Sequence, residues 1–278
     1  MKRVFSIIIV LFFAVLSAGQ LKVVSLSPAL SDAVVLIGGK GALAGRSSAC
    51  EAVEISAVPI AGSMGRPAVE QVIKLRPDAV ISDSCYPGNH WQVLERAGVK
   101  VIFLPGEKIS DFPANLRMLG KMLKLEKNAA RAAQSFEQEI EELQKSLSAK
   151  RVRALIVFAV SPVISCSEKS FINEALLLAG AQNICAEGKR AYFTVSSEYI
   201  LRREPEVIIS AGVPEAAVKS FFSRPEFRHI EAVKRQRIIA IDPDKFCRAG
   251  KNLPQAIKAL RQEIQQLYSP GKTVLPSR

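Results

Sequence analysis

A chain of 278 residues with 49% hydrophobic and 23% charged residues can bury two α/β lobes or one large domain, which excludes wholesale disorder. The formal net charge is +12, yet aromatics make up only 6% and no block of like charge concentrates it. The composition therefore describes a diffusely basic surface and argues against nucleic-acid binding.

Residues 1–20 read as a secretion signal. Lys2 and Arg3 form a positive end, Val4 to Leu16 is an apolar run broken only by Ser6, and Ser17-Ala18-Gly19 supplies small residues for cleavage. The run is short for a membrane span. Cleavage after Ala18 or Gly19 would remove two positive charges, and no Cys follows the small residues to take a lipid. Export to the periplasm of a double-membraned bacterium is expected. All five cysteines, Cys50, Cys85, Cys166, Cys185 and Cys247, lie in the exported part. That compartment permits disulfides, and the odd count leaves at least one thiol unpaired within the chain.

The exported part opens with a strand, Leu21 to Leu26, then Ser27-Pro28 and a helix from Ala29 to Ile37. A short strand over Leu43 to Arg46 precedes a polar loop carrying Cys50. Then comes Glu70-Gln-Val-Ile-Lys-Leu-Arg-Pro77-Asp78-Ala-Val-Ile81-Ser82, which has a partner downstream: Glu198-Tyr-Ile-Leu-Arg-Arg-Glu-Pro205-Glu206-Val-Ile-Ile209-Ser210. Each reads as a short helix stopped before Pro, followed by a buried strand. Two such blocks in matching frame suggest two halves built alike.

After the loop from Asp83 to His90, a helix over Trp91 to Ala97 and a strand over Val99 to Leu104 complete a β-α alternation, the mark of a mostly parallel sheet. A helix follows over Ser110 to Leu123. The stretch from Glu126 to Ala149 has no Gly or Pro, and Phe136, Ile140, Leu143 and Leu147 form one apolar stripe. As a helix it would be about 36 Å long at ~1.5 Å per residue, a stiff strut between lobes. The second lobe repeats the alternation, with strands over Ala154 to Val160, Val207 to Ser210 and Ile238 to Ile241. Its helices cover Phe171 to Leu178, the stretch from Glu198, and Leu253 to Tyr268, and the segment 242–250 reads as a loop. The expected fold class is α/β: two Rossmann-like lobes with mostly parallel sheets joined by one long rigid helix. The divisions are a signal peptide over 1–19, lobes over 20–110 and 150–278, and linking helices over 111–149.

Two motif matches fail on context. Gly39-Lys-Gly41-Ala-Leu-Ala44 has dinucleotide-fingerprint letters but follows a helix and precedes a strand. Gly271-Lys-Thr273 lacks the upstream Gly of a phosphate loop, since position 266 is Gln266. The two histidines are His90, in a loop beside Cys85 and Tyr86, and His229, in a charged stretch that suits a solvated helix. Cys85 and His90 match no strong zinc spacing, and no pair of carboxylates is set for acid–base work. An exported enzyme or sensor using Cys85 or His90 stands as the alternative class. Loop residues at the C-terminal ends of strands make the better candidate site. They are Pro28, Cys50, Met64, Asp83, Cys85 and Tyr86 in the first half, and Cys166, Tyr192, Phe193, Asp244, Phe246 and Arg248 in the second. Aromatics, acids and a forked Arg suit a large, partly polar ligand.

Several stretches resemble the substrate-binding proteins of bacterial ABC importers of the cobalamin, ferric-siderophore and haem class. They are Val23 to Pro28, Val69-Glu70 through Pro77-Asp78, Ala179 to Ile184, Ser197-Glu198, and Asp244-Lys-Phe-Cys-Arg248-Ala-Gly250. The resemblance runs from about Lys22 to Leu267. It implies two lobes on a rigid helix, a monomer without catalysis or cofactor, and a metal-chelate ligand in the cleft. It also implies docking to the importer's membrane subunits through Glu70 and Glu198. Within the class the likeness is to the cobalamin binders, whose cleft positions match Met64, Asp83, Tyr192, Asp244 and Arg248. Met64, Asp83 and Tyr192 stand where those proteins have tryptophans, and a corrinoid is the ligand implied. For haem, Tyr86 and His90 would be the axial candidates. In the family's frame Cys50 and Cys85 share one wall of the cleft and Cys166 and Cys247 the other. That frame implies disulfides Cys50–Cys85 and Cys166–Cys247, with Cys185 free.

Overall fold

The computed structural model describes residues 21–83 and 89–268. The signal segment, Cys85, Tyr86 and the tail from Ser269 lie outside the described residues. The first half runs β1 (Val23–Ser25), α1 (Pro28–Leu36), β2 (Leu43–Ser47), β3 (Ile60–Ser63), β4 (Arg66–Pro67), α2 (Val69–Leu75), β5 (Ala79–Ser82), α3 (His90–Arg96) and β6 (Lys100–Phe103). Its sheet has the order β4-β3-β2-β1-β5-β6, parallel except for the β3–β4 pair. Ser27 caps α1 through its hydroxyl, which accepts from Leu30 N, and Pro28 occupies the first turn.

Two helices lead out of this half, α4 (Asp111–Leu123) and α5 (Glu126–Lys145). The second half follows as β7 (Val152–Val157), β8 (Ala159–Val160), β9 (Val163–Cys166), α6 (Phe171–Leu178), β10 (Ala181–Asn183), β11 (Tyr192–Thr194), α7 (Ser197–Arg203), β12 (Val207–Ala211), α8 (Glu215–Phe222), α9 (Glu231–Lys234), β13 (Ile238–Ile241), α10 (Pro243–Phe246) and α11 (Leu253–Tyr268). Strands β10-β7-β12-β13 form a parallel sheet, and β11-β9-β8 a small antiparallel one. This is the α/β class expected, in two lobes. No helix among the described residues is long and apolar enough to cross a membrane.

Local chemistry accounts for the departures from the expected elements. The strand expected over Ala154 to Val160 breaks at Phe158, whose N–H turns to Ile164 O and starts the small sheet. The loop expected over 242–250 contains α10, because Asp242 caps it by accepting from Asp244 N and Pro243 fills its first position. Helix α5 stops at Lys145 rather than Ala149. Ser146 Oγ bonds back to Glu142 O at 2.7 Å, the competition that unwinds helix ends. Twenty residues give about 30 Å at ~1.5 Å each.

The two repeated blocks match in hydrogen bonding as well as in letters. Each helix ends on a left-handed residue, Arg76 at φ 47° and Glu204 at φ 43°, directly before the Pro. The acid after the Pro then clips the start of the central strand. Asp78 Oδ2 accepts from Lys22 N at 2.7 Å, and Glu206 Oε2 from Arg153 N at 3.1 Å. In both halves the acid's own N–H returns a bond of 2.8 Å to the same residue's carbonyl.

Helix α5 joins the halves. Ala129, Ala133, Phe136, Ile140 and Leu143 are its buried stripe. Near its start Asn128 Nδ2 donates to Ile37 O at 3.0 Å; near its end Gln255 of α11 donates to Glu139 at 2.6 Å. Gly120 lets α4 lie close against it, since a Cβ there would sit 2.3 Å from that of Ala129. One apolar core runs unbroken from Val23 and Ile81, through Phe112 and Phe136, to Ile209 and Ile264.

Candidate functional site

Parallel sheets present ligand sites at the C-terminal ends of their strands. In the first half those ends carry Leu26, Ser27 and Asp83, with Met64 in the β3–β4 turn. Ser27 Oγ donates to Asp83 Oδ2 at 2.5 Å, and Gly65 N donates to Leu26 O at 3.0 Å. Asp83 is thus held beside the start of α1, with Gly106 packed near its Cβ. Met64 is 41% exposed.

In the second half the small antiparallel sheet forms the wall. Tyr192 stands opposite Cys166 in register. Its ring meets Phe158 edge-on at 5.5 Å, and Ser170 Oγ lies 3.3 Å from its hydroxyl. Tyr192 as a whole is still 48% exposed. Burial of its oxygen pushes the Tyr192 pKa up, so the phenol stays neutral at physiological pH. Phe193 lies over Gly188, where any Cβ would meet its ring at 2.1 Å. Arg248 Nη2 pairs with Asp244 Oδ1 at 2.5 Å, both partly exposed.

The halves meet at the start of α1. Gly250 packs near Ala29, and Lys251 Nζ reaches Asp32 Oδ1 at 3.6 Å. Burial raises the Asp32 pKa, outweighing the opposing pull of Lys251 and Arg248. Arg248 therefore feels the first half's acid while bonded to the second half's. Reading the sequence missed Ser27, Asp32, Phe158, Ser170 and Lys251. Ser27, before Pro28, and Ser170, before Phe171, carried a readable signal as helix caps.

Several expected residues are buried in the structure. Pro28 is buried in α1, Cys50 is 3% exposed and Phe246 is 1% exposed. Each is part of the lobes' packing. Among the described residues no disulfide forms: Cys50, Cys166, Cys185 and Cys247 are free thiols, which corrects the expected Cys166–Cys247 bond, while the expected Cys50–Cys85 bond involves Cys85, outside the described residues. Cys50 Sγ lies 3.2 Å from Ser31 Oγ instead. Burial pushes the Cys166 thiol up, Cys185 up to about 11 and Cys247 up to about 12, so these groups remain protonated. His90 opens α3, and its Nε2 is buried without a hydrogen-bond partner among the described residues. His229 closes an exposed 3₁₀ turn (Pro225–His229). No cluster of His, Cys, Asp and Glu among the described residues could hold a metal.

Glu70 and Glu198 occupy the same place in their halves, the second residue of α2 and of α7. Both are exposed, and both sit at helix N-termini that favour negative charge. The N–H of Glu198 itself and Ser196 lower its pKa, keeping it ionised.

Two α/β lobes fused through one core, each carrying candidate residues at its strand ends, define a two-lobed binding protein. The chain matches the family described as periplasmic binding protein over residues 23–245, and it belongs to that family. A vitamin B12-binding protein of Pectobacterium carotovorum is 30% identical over 213 residues, covering 74% of this chain and 73% of its own length. An uncharacterized ABC transporter substrate-binding lipoprotein of Bacillus subtilis is 26% identical over 255 residues, covering 87% and 79%. A periplasmic heme binding protein of Pseudomonas aeruginosa superposes with a TM-score of 0.75 at 25% identity, covering 90% of this chain and 94% of its own. Proteins of this family bind substrates and do not transform them; this chain is not an enzyme.

Proposed function

We propose that this protein is exported to the periplasm, captures a corrinoid between its lobes and delivers it to the membrane subunits of an ABC importer. It works as a monomer, with lobes over 20–110 and 150–278 held by the helices between. The observation carrying the ligand class is the second-half wall: a half-exposed Tyr192 that feels Cys247, the residue preceding Arg248 of the Arg248–Asp244 pair. A flat aromatic together with a charge pair suits a large planar ring system with polar side arms. In this reading Met64 and Asp83 supply the first half's share of the site, and the relative named for vitamin B12 supports the corrinoid. Haem is the second reading, favoured by the heme-binding structure of similar fold.

Docking uses Glu70 and Glu198, two carboxylates at equivalent positions on lobes that share one core. Each would meet a cationic partner through charge-assisted hydrogen bonds. Calorimetric titration of the mature protein with cyanocobalamin, then haem, then a ferric siderophore, tests the ligand. Stoichiometric cobalamin binding at submicromolar affinity is expected. Heat from haem or the siderophore alone would overturn the corrinoid and leave the docking reading intact. Uptake unchanged by Glu70→Ala with Glu198→Ala would overturn the docking reading.

A further inference from the structure

At the opposite end of the second half from Glu198 lies a cavity of about 480 Å³. The N-terminal ends of β7, β10 and β12 and the C-terminal ends of α5, α6 and α11 enclose it. Its lining is strongly one-signed: Lys150, Arg151, Arg153 and Arg261 against a single carboxylate, Glu206.

Part of this charge is structural. Arg261 caps two helices at once, donating through Nη2 to Leu143 O at 2.7 Å and through Nε to Leu178 O at 3.0 Å. It also donates to Ser146 Oγ at 2.6 Å. That accounts for the negative ends of α5 and α6; Arg153 likewise donates through Nε to Glu204 O, at the C-cap of α7, at 3.1 Å, which leaves Lys150 and Arg151 without such a task. Arg153 is loosely matched, its Nη1 being 3.7 Å from Glu206 Oε2. Lys150 and Arg151 are exposed at the mouth and form no ion pair with any described residue. The floor is apolar: Val152 is 8% exposed and Ile264 4%. Tyr268 forms a ring wall, fixed by Arg237, whose Nη1 donates to its hydroxyl at 3.1 Å.

We propose that this cavity is a second ligand site, for an organic anion joining an apolar ring or chain to a phosphate or sulfonate head. The head would take the Lys150, Arg151 and Arg153 rim, and the body the Val152, Ile264 and Tyr268 floor. The volume falls in the range of small-molecule sites, roughly 300–1,000 Å³. The site is independent of the cleft and of the corrinoid reading.

The probe is 1-naphthyl phosphate, titrated calorimetrically into the mature full chain. Saturable binding is expected, weakening with salt as a rim of exposed cations requires. Lys150→Glu with Arg151→Glu changes only exposed side chains and should weaken binding at least ten-fold. Tyr192→Ala, in the cleft, should leave it unchanged. Displacement of the probe by phosphatidylglycerol vesicles, with the protein co-floating, would identify a lipid headgroup as the source of the anion; displacement by soluble aryl phosphates alone would identify a free metabolite. No saturable binding, equal binding by the double variant, or loss in Tyr192→Ala instead would overturn the proposal. Circular dichroism of each variant separates these results from misfolding.

Discussion

Replacing Phe136 by Ala tests whether the two lobes share one core. Phe136 is 4% exposed on α5, and its ring lies 5.0 Å from that of Phe112, itself 1% exposed on α4. Truncating a buried Phe costs about 3–5 kcal/mol in lost burial and residual cavity. The ring pair is about 0.5–1.5 kcal/mol of that. With a urea dependence of about 3 kcal/mol/M for a chain this large, the midpoint should fall by roughly 1–1.7 M. The assay reports two regions separately. Trp91 is the single tryptophan and lies in the first half, so its fluorescence follows that half, while far-UV circular dichroism follows both. The two curves should coincide in the parent protein and move together in Phe136→Ala. If only one signal shifts, or the loss stays under about 1 kcal/mol, the shared core is refuted.

Gly120→Ala should cost about 1–3 kcal/mol by the same assay, as overpacking does, because its Cβ would collide with Ala129 at 2.3 Å; an unchanged midpoint would show that α4 can slide. Peptide mapping after denaturation and alkylation without reductant should find label on Cys50, Cys166, Cys185 and Cys247, all free thiols; unlabelled Cys166 and Cys247 would restore the bond between them. In the native protein at pH 8, Cys247, pushed up to about 12, should alkylate about a thousand-fold more slowly than an ordinary thiol. Asp32 has a raised carboxyl pKa, burial being the main cause. The folded state therefore keeps this proton to higher pH than the unfolded chain does. Its contribution is complete below the unfolded pKa and fades as pH rises through the folded one. Stability of the parent relative to Asp32→Asn should thus decline from about pH 4 towards neutrality, and a relative gain over that range would reverse the assignment.

The parallel-sheet architecture was legible because it rests on local signals. Runs such as Ala79–Ser82 and Val207–Ala211 are fully buried, and a strand buried on both faces reads as unbroken apolar sequence. The repeat was legible down to its acids, since Pro and the residue after it punctuate both copies. The small antiparallel sheet was not. Strands of two to four residues show no useful alternation, and Phe158 leaves the main sheet only because Ile164 offers it a carbonyl. Likewise Pro28, Cys50 and Phe246 read as loop residues in the sequence, but Pro28 opens α1, Phe246 closes α10 and all three are buried, because one residue of rotation decides whether a side chain faces solvent or core. The bond inferred for Cys166 and Cys247 came from the family's frame, which aligns positions and does not supply the side-chain geometry that a bond requires.

The shared core has a consequence for dividing the chain. Each half carries its own sheet, its own helix closed by a left-handed residue, and its own acid clip. Yet α5 packs against α4 on one side and α11 on the other, so its buried stripe, Ala129, Ala133, Phe136, Ile140 and Leu143, belongs to both halves at once. Parting the halves along α5 would lay that stripe open to water: the link between the lobes is also part of what fills them.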